Sequence, residues 1–583
     1  MPSCGICHAV LDLAAQYLAV LMCCGPPVSA SNRQLWAIAA HRRCCQAYRW
    51  AAKPPESACT RNRKPNPMPA QVYDIAVIGG GVNGCGIARD AAGRGLKVLL
   101  VEQNDLASGT SSMSTKLIHG GLRYLEQYEF KLVRESLIER EILWQMAPHI
   151  IQPLRFVLPH SPGLRPAWLI RIGLFLYDHI GGRKLLPASH GLDLTRDPAG
   201  KPLKQDVKRG FEYSDCRVDD ARLVVLNAMD ARAHGADLRP RTRMLSARRT
   251  AEHWDIELGP GGSRTPTHVA ARILVNAAGP WVGVVADHLA DEETQRTPQQ
   301  RSGVHLVKGS HIVVPRLYDN PRAYIFQTPD GRIVFAIPYQ DDYTLIGTTD
   351  VDYNDDPGKV CISDDEVRYL CAAISSYFIK QVTPADVIWS FSGLRPLFDE
   401  GNVSAKERSR DYVLELDAPQ GRPPLLTIFG GKITTYRHLA EDVLRQLTPF
   451  LPAAGPPWTR GAVLPGGDFP VDGLARLQHE LLDKCPDLGD KTAARLVHAY
   501  GTLAADMLGG AGSVADLGRH FGAGLYQREV DYLIANEWAA SADDILWRRC
   551  KLGLRFSQRE TRKLQDYLKT RLAKGSAAPP LQP

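Results

Sequence analysis

Residues 73–125, YDIAVIGGGVNGCGIARDAAGRGLKVLLVEQNDLASGTSSMSTKLIHGGLRYL, decide the fold. Ile75 to Ile78 is an unbroken apolar run, the pattern of a strand buried on both faces of a parallel sheet. Gly79, Gly81 and Gly84 follow at GxGxxG spacing, and a helical pattern runs from Asn83 to about Arg94. The first glycine permits a tight turn, the second lets the backbone approach a pyrophosphate, and the third lets helix and strand pack closely. The phosphates would then meet the positive N-terminus of the helix. A second strand, Lys97 to Val101, delivers Glu102 to the position where a carboxylate accepts from ribose hydroxyls. GxGxxG alone is weak, but strand, glycines, helix, strand and terminal acid in register specify a dinucleotide-binding βαβ unit.

That unit does not distinguish FAD from NAD; the residues after it do. Ala107 to Thr115 (ASGTSSMST) offers small hydroxyls and backbone donors suited to wrapping an extended diphosphate and ribityl chain, with Thr110, Ser111, Ser112 and Thr115 as candidate contacts. Lys116 to Tyr124 (KLIHGGLRY) then brings a histidine, two glycines and an arginine together. Further blocks follow in order: RGFEYSDCRVDDARL (209–223), LVNAAGPWV (274–282), KGSHIVVP (308–315), RIVFAIPY (332–339), IGTTDVDY (346–353), SGLRPL (392–397) and FGGKITTYR (429–437). Through them the chain from Tyr73 to about Lys574 resembles the aerobic glycerol-3-phosphate dehydrogenases, FAD-dependent, membrane-associated enzymes of the D-amino-acid-oxidase-like flavoprotein group. The resemblance implies an α/β fold: an FAD-binding Rossmann-like domain interleaved with an antiparallel-sheet substrate domain, plus an α-helical C-terminal domain. It implies FAD as cofactor and oxidation of sn-glycerol 3-phosphate to dihydroxyacetone phosphate by hydride transfer to FAD. It further implies electron delivery to a membrane quinone from a peripheral position on the cytoplasmic face of the inner membrane, with the mitochondrial inner membrane as the alternative.

Oxidising a secondary alcohol with a flavin requires a base for the hydroxyl proton and a rigid clamp on the substrate. His119 is the leading base, since a neutral imidazole accepts a proton near pH 7 and this one lies in a glycine-flanked loop beside the cofactor segment. The alternative is a histidine that only hydrogen-bonds flavin or substrate. His311 is a second candidate, read foremost as a strand residue. A phosphate clamp calls for arginine, whose planar fork donates two parallel hydrogen bonds. Arg123, directly after HGGL, and Arg332, after the Pro329-Asp330-Gly331 turn, are the candidates; the resemblance assigns both to substrate binding with Tyr124 beside them, and Arg332 is also taken as catalytic. Arg395 in SGLRPL is a third. Gly279, ending the small-residue turn after Ile273 to Val275, is expected against the flavin, an ordinary tight turn being the alternative. Gly430, Gly431 and Lys432 are expected to open a helix running to Leu447, placing a helix N-terminus and a lysine at the edge of the flavin that becomes anionic on reduction.

Around these motifs the organisation is read as an extension over 1–67, an oxidoreductase region over 68–450 with its subdomains interleaved, and a helical domain over 451–583. Helices are predicted at Phe130 to Met146 and Leu223 to Ala233. Strands are predicted at Ala236 to Arg249, Trp254 to Leu258, His311 to Val314, Tyr324 to Gln327, Ile333 to Ile337, Thr344 to Gly347 and Leu425 to Phe429. The extension holds eight Lys or Arg against Asp12 and Glu56, a net +6 of the chain's +7, and seven of its thirteen cysteines. The remainder is therefore nearly neutral, and no nucleic-acid partner is expected. One CxxC (Cys4, Cys7) without a second pair makes no zinc site, and no metal is expected. The apolar stretch Leu11 to Cys24 is interrupted by Asp12 and Gln16 and falls short of the roughly 20 residues of a membrane span. The extension is read as disordered or absent from the mature protein, with Met68 as the natural start. Residues 548–574 carry ten Lys or Arg against Glu560 and Asp566, a local +8 that suits an anionic membrane surface. A homodimer is compatible with the sequence. Three other functions stand as alternatives: a glycerol-3-phosphate oxidase using dioxygen, which the motifs separate poorly from a dehydrogenase and against which the helical C-terminal region tilts the choice; an amino-acid-oxidase-like enzyme, disfavoured because two arginines suit a dianionic phosphate better than a carboxylate; and a non-catalytic flavin-binding membrane-associated protein, against which His119, Arg123 and Arg332 together argue.

Overall fold

In the computed structural model, which describes residues 72–160, 165–260, 265–290, 304–398 and 411–573, the apolar run forms strand Val72–Ile78, with Ile75, Ala76 and Val77 fully buried. It pairs in parallel with Val98–Glu102 on one side and Thr267–Asn276 on the other; Asp237–Pro240 and Leu425–Phe429 continue the parallel core outward. Trp254–Pro260, Thr242–Arg249 and Val413–Asp417 add antiparallel strands, and Leu289–Ala290 pairs in parallel with Thr242–Arg249, to make a nine-stranded sheet. The helices Val82–Gly93, Asp220–Ala233 and Tyr436–Leu447 pack together on this sheet. The run expected as one strand from Ala236 to Arg249 breaks at Arg241, whose left-handed backbone (φ 57°) turns the chain between two strands.

The strands expected between 311 and 347 form the middle of a second, ten-stranded sheet. All its pairings are antiparallel except Ala323–Gln327 with Ile151–His160. Three ten-residue strands of this sheet, Ile151–His160, Arg209–Val218 and Trp389–Phe398, carry little sequence signal. Pro153 and Pro159 disguise the first, since proline ordinarily marks an edge or a break. In the second, Glu212, Ser214 and Asp215 occupy buried positions, so hydrophobic alternation fails. Ion pairs hold these acids inside: Arg155 binds Glu212 at 2.6 Å and Arg140 binds Asp215 at 2.7 Å.

From Leu474 the chain is helical, with Leu474–Lys484, Asp490–Tyr500, Gln527–Glu537 and Gln558–Ala573 enclosing their own apolar cluster around Tyr500, Phe521 and Leu533. Four buried or half-buried arginines join this region to the flavin-domain side. Arg549 donates to both oxygens of Asp105 at 2.7 and 2.9 Å, Arg548 to the same carboxylate at 2.6 Å, and Arg241 lies 3.5 Å from it; Arg222 pairs with Glu537. Much of the basic segment 548–574 is therefore consumed internally: Lys551 pairs with Asp219 and Asp220, Arg555 with Asp342, and Arg571 with Asp531. Arg559, Arg562, Lys563 and Lys569 remain exposed. Lys574 and the whole extension 1–67 lie outside the described residues.

Candidate active site

The glycine turn is packed as the sequence requires. A Cβ on Gly79 would lie 2.5 Å from the Ala277 carbonyl oxygen, and one on Gly84 would lie 2.0 Å from that of Gly79. Gly80, not singled out in the sequence, donates its N–H to Glu102 Oε2 at 2.7 Å, while Asn104 N donates to Oε1 at 2.8 Å. Burial pushes the Glu102 carboxyl up, and these two amides work against that shift. Gly79, Gly81, Glu102, Thr110, Ser111, Gly279, Gly430 and Gly431 line one cleft of about 1240 Å³, whereas Gly84 supports it from behind. An open cleft floored by close-packed glycine backbone at the start of the first helix fits an extended dinucleotide such as FAD.

The hydroxyl run divides between tasks. Ser111 Oγ accepts from Val82 N at 3.0 Å at the start of the first helix, and Thr110 donates to the Leu394 carbonyl at 2.6 Å, both residues still facing the cleft. Ser112, expected on the cofactor wall, is buried among protein atoms and lines neither cavity; its carbonyl accepts from Lys116 Nζ. Thr115 faces the neighbouring cavity instead, 3.0 Å from His311 Nε2. Gly430 and Gly431 do not open a helix. Both have left-handed backbone (φ 73° and 94°), and the helix begins at Tyr436, so Lys432 sits in a loop with its ammonium 3.7 Å from the Tyr124 ring centroid.

Thr110, Ser114, Pro396, Gly430, Gly431 and Ile433 belong to both the cleft and a second cavity, so the two spaces adjoin. The second cavity collects His119, Arg123, Tyr124, His311, Arg332, Arg395 and Lys432 from five separate stretches of chain. Among the described residues its charged lining is four cations against Asp350, which favours an anionic ligand. Among the described residues Arg123 has no hydrogen-bond or ion-pair partner, although it is half-buried. Arg332 lies 3.4 Å from Asp330 and over the Tyr369 ring, and Arg395 pairs with Asp350.

His119 is held by its backbone. Its N–H donates to Thr434 Oγ1 at 3.3 Å, and the next residue, Gly120, donates to Tyr177 Oη at 2.8 Å. Tyr177 bonds to Asp215, which Arg140 neutralises. Burial holds the His119 imidazole below its ordinary pKa, with Lys432 and Arg140 pushing the same way and Asp215 opposing. The ring is thus neutral at pH 7 and able to take a proton. His311, read first as a strand residue, is one, yet it also faces the cavity with its ring stacked on Phe391; burial takes it down to about 3.

Residues 74–437 match the model of the FAD-dependent oxidoreductases. The chain belongs to this family. Residues 458–570 match a second model, the C-terminal domain of alpha-glycerophosphate oxidase, so the helical region does not by itself separate a dehydrogenase from an oxidase. Glycerol-3-phosphate dehydrogenase of Pseudomonas aeruginosa is 54% identical over 501 residues, covering 86% of this chain and 96% of the relative. D-erythritol 1-phosphate dehydrogenase of Brucella abortus is 50% identical over 490 residues, covering 84% and 96%. Among solved structures, glycerol-3-phosphate dehydrogenase from Bacillus halodurans complexed with FAD superposes with a TM-score of 0.65 at 27% identity, over 88% of this chain and 97% of that one. FAD is the cofactor of this FAD-dependent oxidoreductase.

Proposed function

We propose that the protein oxidises sn-glycerol 3-phosphate to dihydroxyacetone phosphate and that a membrane quinone is its electron acceptor. The observation that carries the reading is the Arg123 guanidinium, partnerless among the described residues, lining one cavity with Arg332, Arg395, Lys432 and neutral His119, next to the dinucleotide cleft. FAD held in the cleft would supply the two-electron acceptor for the substrate's hydride. Arg123 presents its fork to the phosphate, and Arg332 adds a second cation whose place is kept by Asp330 and Tyr369. His119 takes the proton of the secondary hydroxyl. Glu102, Thr110, Ser111 and the glycines hold the cofactor, while Lys432 contributes positive charge near the Gly430–Gly431 loop.

Removing Arg123 costs a charge-assisted phosphate bond of about 2 kcal/mol, roughly a thirtyfold fall in kcat/KM. Arg123→Ala is therefore expected to lose substrate use at that level with its flavin still bound; steady-state kinetics near the parent's would remove Arg123 from the clamp. The function itself is tested by anaerobic bleaching of the flavin on adding sn-glycerol 3-phosphate. The Brucella relative makes a longer polyol phosphate the second reading, so D-erythritol 1-phosphate belongs in the same experiment. Bleaching by neither compound refutes the reading, and fast peroxide formation in air assigns dioxygen as acceptor in place of a quinone.

A quinone acceptor requires contact with lipid. Among the described residues no helix is long and apolar enough to cross a membrane. The helix Ala167–Ile180 instead exposes Trp168 (57%), Ile172 (44%) and Phe175 (52%), side chains suited to the interface. Peripheral attachment to a membrane surface through this face is the reading these side chains support, with Arg559, Arg562, Lys563 and Lys569 adding attraction to anionic lipid. Exchanging Trp168, Ile172 and Phe175 for Gln is expected to abolish most co-sedimentation with anionic vesicles; exchanging Arg559, Arg562 and Lys563 is expected to remove only its salt-sensitive part. Full binding by the first variant would move the attachment elsewhere.

A further inference from the structure

One short turn of the C-terminal region reaches the back of the reaction cavity by two routes. Asp544–Arg549 is a single π-helical stretch, a rare geometry that occurs frequently at functional sites. Lys551 follows it with left-handed backbone (φ 56°) and almost no exposure. Its ammonium lies 3.4 Å from Asp220 Oδ1 and 3.7 Å from Asp219 Oδ1. Asp220 is fully buried, and its other oxygen accepts from Lys116 Nζ and Ser114 Oγ, each at 2.8 Å. Lys116, also left-handed (φ 61°), anchors to the Ser112 carbonyl at 2.8 Å. A single carboxylate therefore ties a C-terminal lysine to the segment that carries Ser114 and Thr115 into the cavity.

The second route is aromatic. Trp547 stacks on Trp389 with ring centroids 4.6 Å apart, Trp389 lies 4.9 Å from Phe391, and Phe391 stacks on His311 at 4.8 Å. Lys116 Nζ sits 4.9 Å above the same Phe391 ring. Thr115 and His311, where the two routes end, are hydrogen-bonded to each other and both face the cavity. Lys551 and Trp547 do not line it. The ion cluster is balanced, two lysines against buried Asp220 and half-buried Asp219; without Lys551, Lys116 alone faces both carboxylates, and the arrangement around it has to change.

We propose that Lys551 is a positioning residue for the reaction: through Asp220 it fixes the Ser114–Lys116 segment against His311, which makes the helical C-terminal region part of the catalytic apparatus. This rests on the reading of the cavity as the reaction site. The test compares the full chain, Lys551→Met and Lys551→Arg, each loaded with FAD, by anaerobic stopped-flow reduction with sn-glycerol 3-phosphate. Lys551→Met is expected to keep its flavin and half-saturating substrate concentration but to be reduced roughly tenfold to a hundredfold more slowly at saturation, the scale of a misplacement near 1 Å. Lys551→Arg recovers most of the rate. The visible flavin band, which senses its surroundings without substrate, shifts in Lys551→Met and returns in Lys551→Arg. A parental rate per bound flavin in Lys551→Met, or an arginine variant as slow as the methionine one, overturns the proposal. If Lys551→Met does not fold, Trp547→Leu tests the aromatic route with the same readouts and expectations. If the parent itself is not reduced, the functional reading fails, and the proposal then stands or falls on the flavin band alone.

Discussion

Replacing His119 by Asn will slow anaerobic flavin reduction by about two to four orders of magnitude, the usual worth of a general base, while FAD stays bound. The isolation of effects follows from how the loop is built. His119 is tied down through its own N–H to Thr434 and the Gly120 N–H to Tyr177, neither of which involves the imidazole. Asparagine therefore inherits the backbone position and loses only the basic nitrogen. The pH dependence supplies a second measurement. The folded pKa is lowered, chiefly by burial, so the base is in its neutral form above that lowered value and protonated below it. Reduction rate is thus expected to rise with pH through a point below the ordinary histidine value of about 6.5 and to be flat by neutrality; in His119→Asn this acid limb disappears. His311 is the rival, but its Nε2 already meets Thr115 Oγ1 and the residue is only 2% exposed. A His119→Asn variant that reduces quickly and keeps the parental acid limb would pass the role to His311.

What the sequence made legible was local. The βαβ unit could be read because strand, glycines and acid are contiguous, and Gly79 and Gly84 each answer to a backbone atom less than 3 Å from where a Cβ would be. The arginines and His119 could be named because they flank glycine turns, although only the fold shows that five stretches of chain converge on them. Two kinds of residue stayed hidden. Asp215, Tyr177 and Arg140 support the His119 loop from strands and helices whose polar residues point inward, so no periodicity betrays them. The Gly430–Gly431 pair misled in the opposite direction: glycines before a helical pattern resemble a cap, but their left-handed backbone makes a loop four residues earlier. The C-terminal positive charge misled likewise, because net charge in sequence does not tell which cations are already paired in the interior.

Those internal pairs predict the largest structural effect. Asp105 is 4% exposed and receives Arg549 at both oxygens and Arg548 at one, with Arg241 close by. Arg549 and Arg222 also share Glu537, and Asp544 serves Arg241 and Arg548. Four arginines thus face three carboxylates where water is largely excluded. Asp105→Asn leaves four against two, and breaking a buried pair from one side typically costs about 3–5 kcal/mol because the remaining charge stays desolvated. Glu480→Gln, which removes the exposed partner of Arg476, is the control, worth no more than about 0.5 kcal/mol. A chain of this size does not unfold in one step, so the readouts are thermal release of flavin and limited proteolysis of residues 474–573. Asp105 follows Glu102 and Asn104 in the loop that lines the cofactor cleft, so excess FAD should restore part of the lost stability by mass action. An Asp105→Asn protein as heat- and protease-resistant as the Glu480→Gln control would mean that the network is neutral to stability and that apolar packing of the helices alone holds the C-terminal region in place.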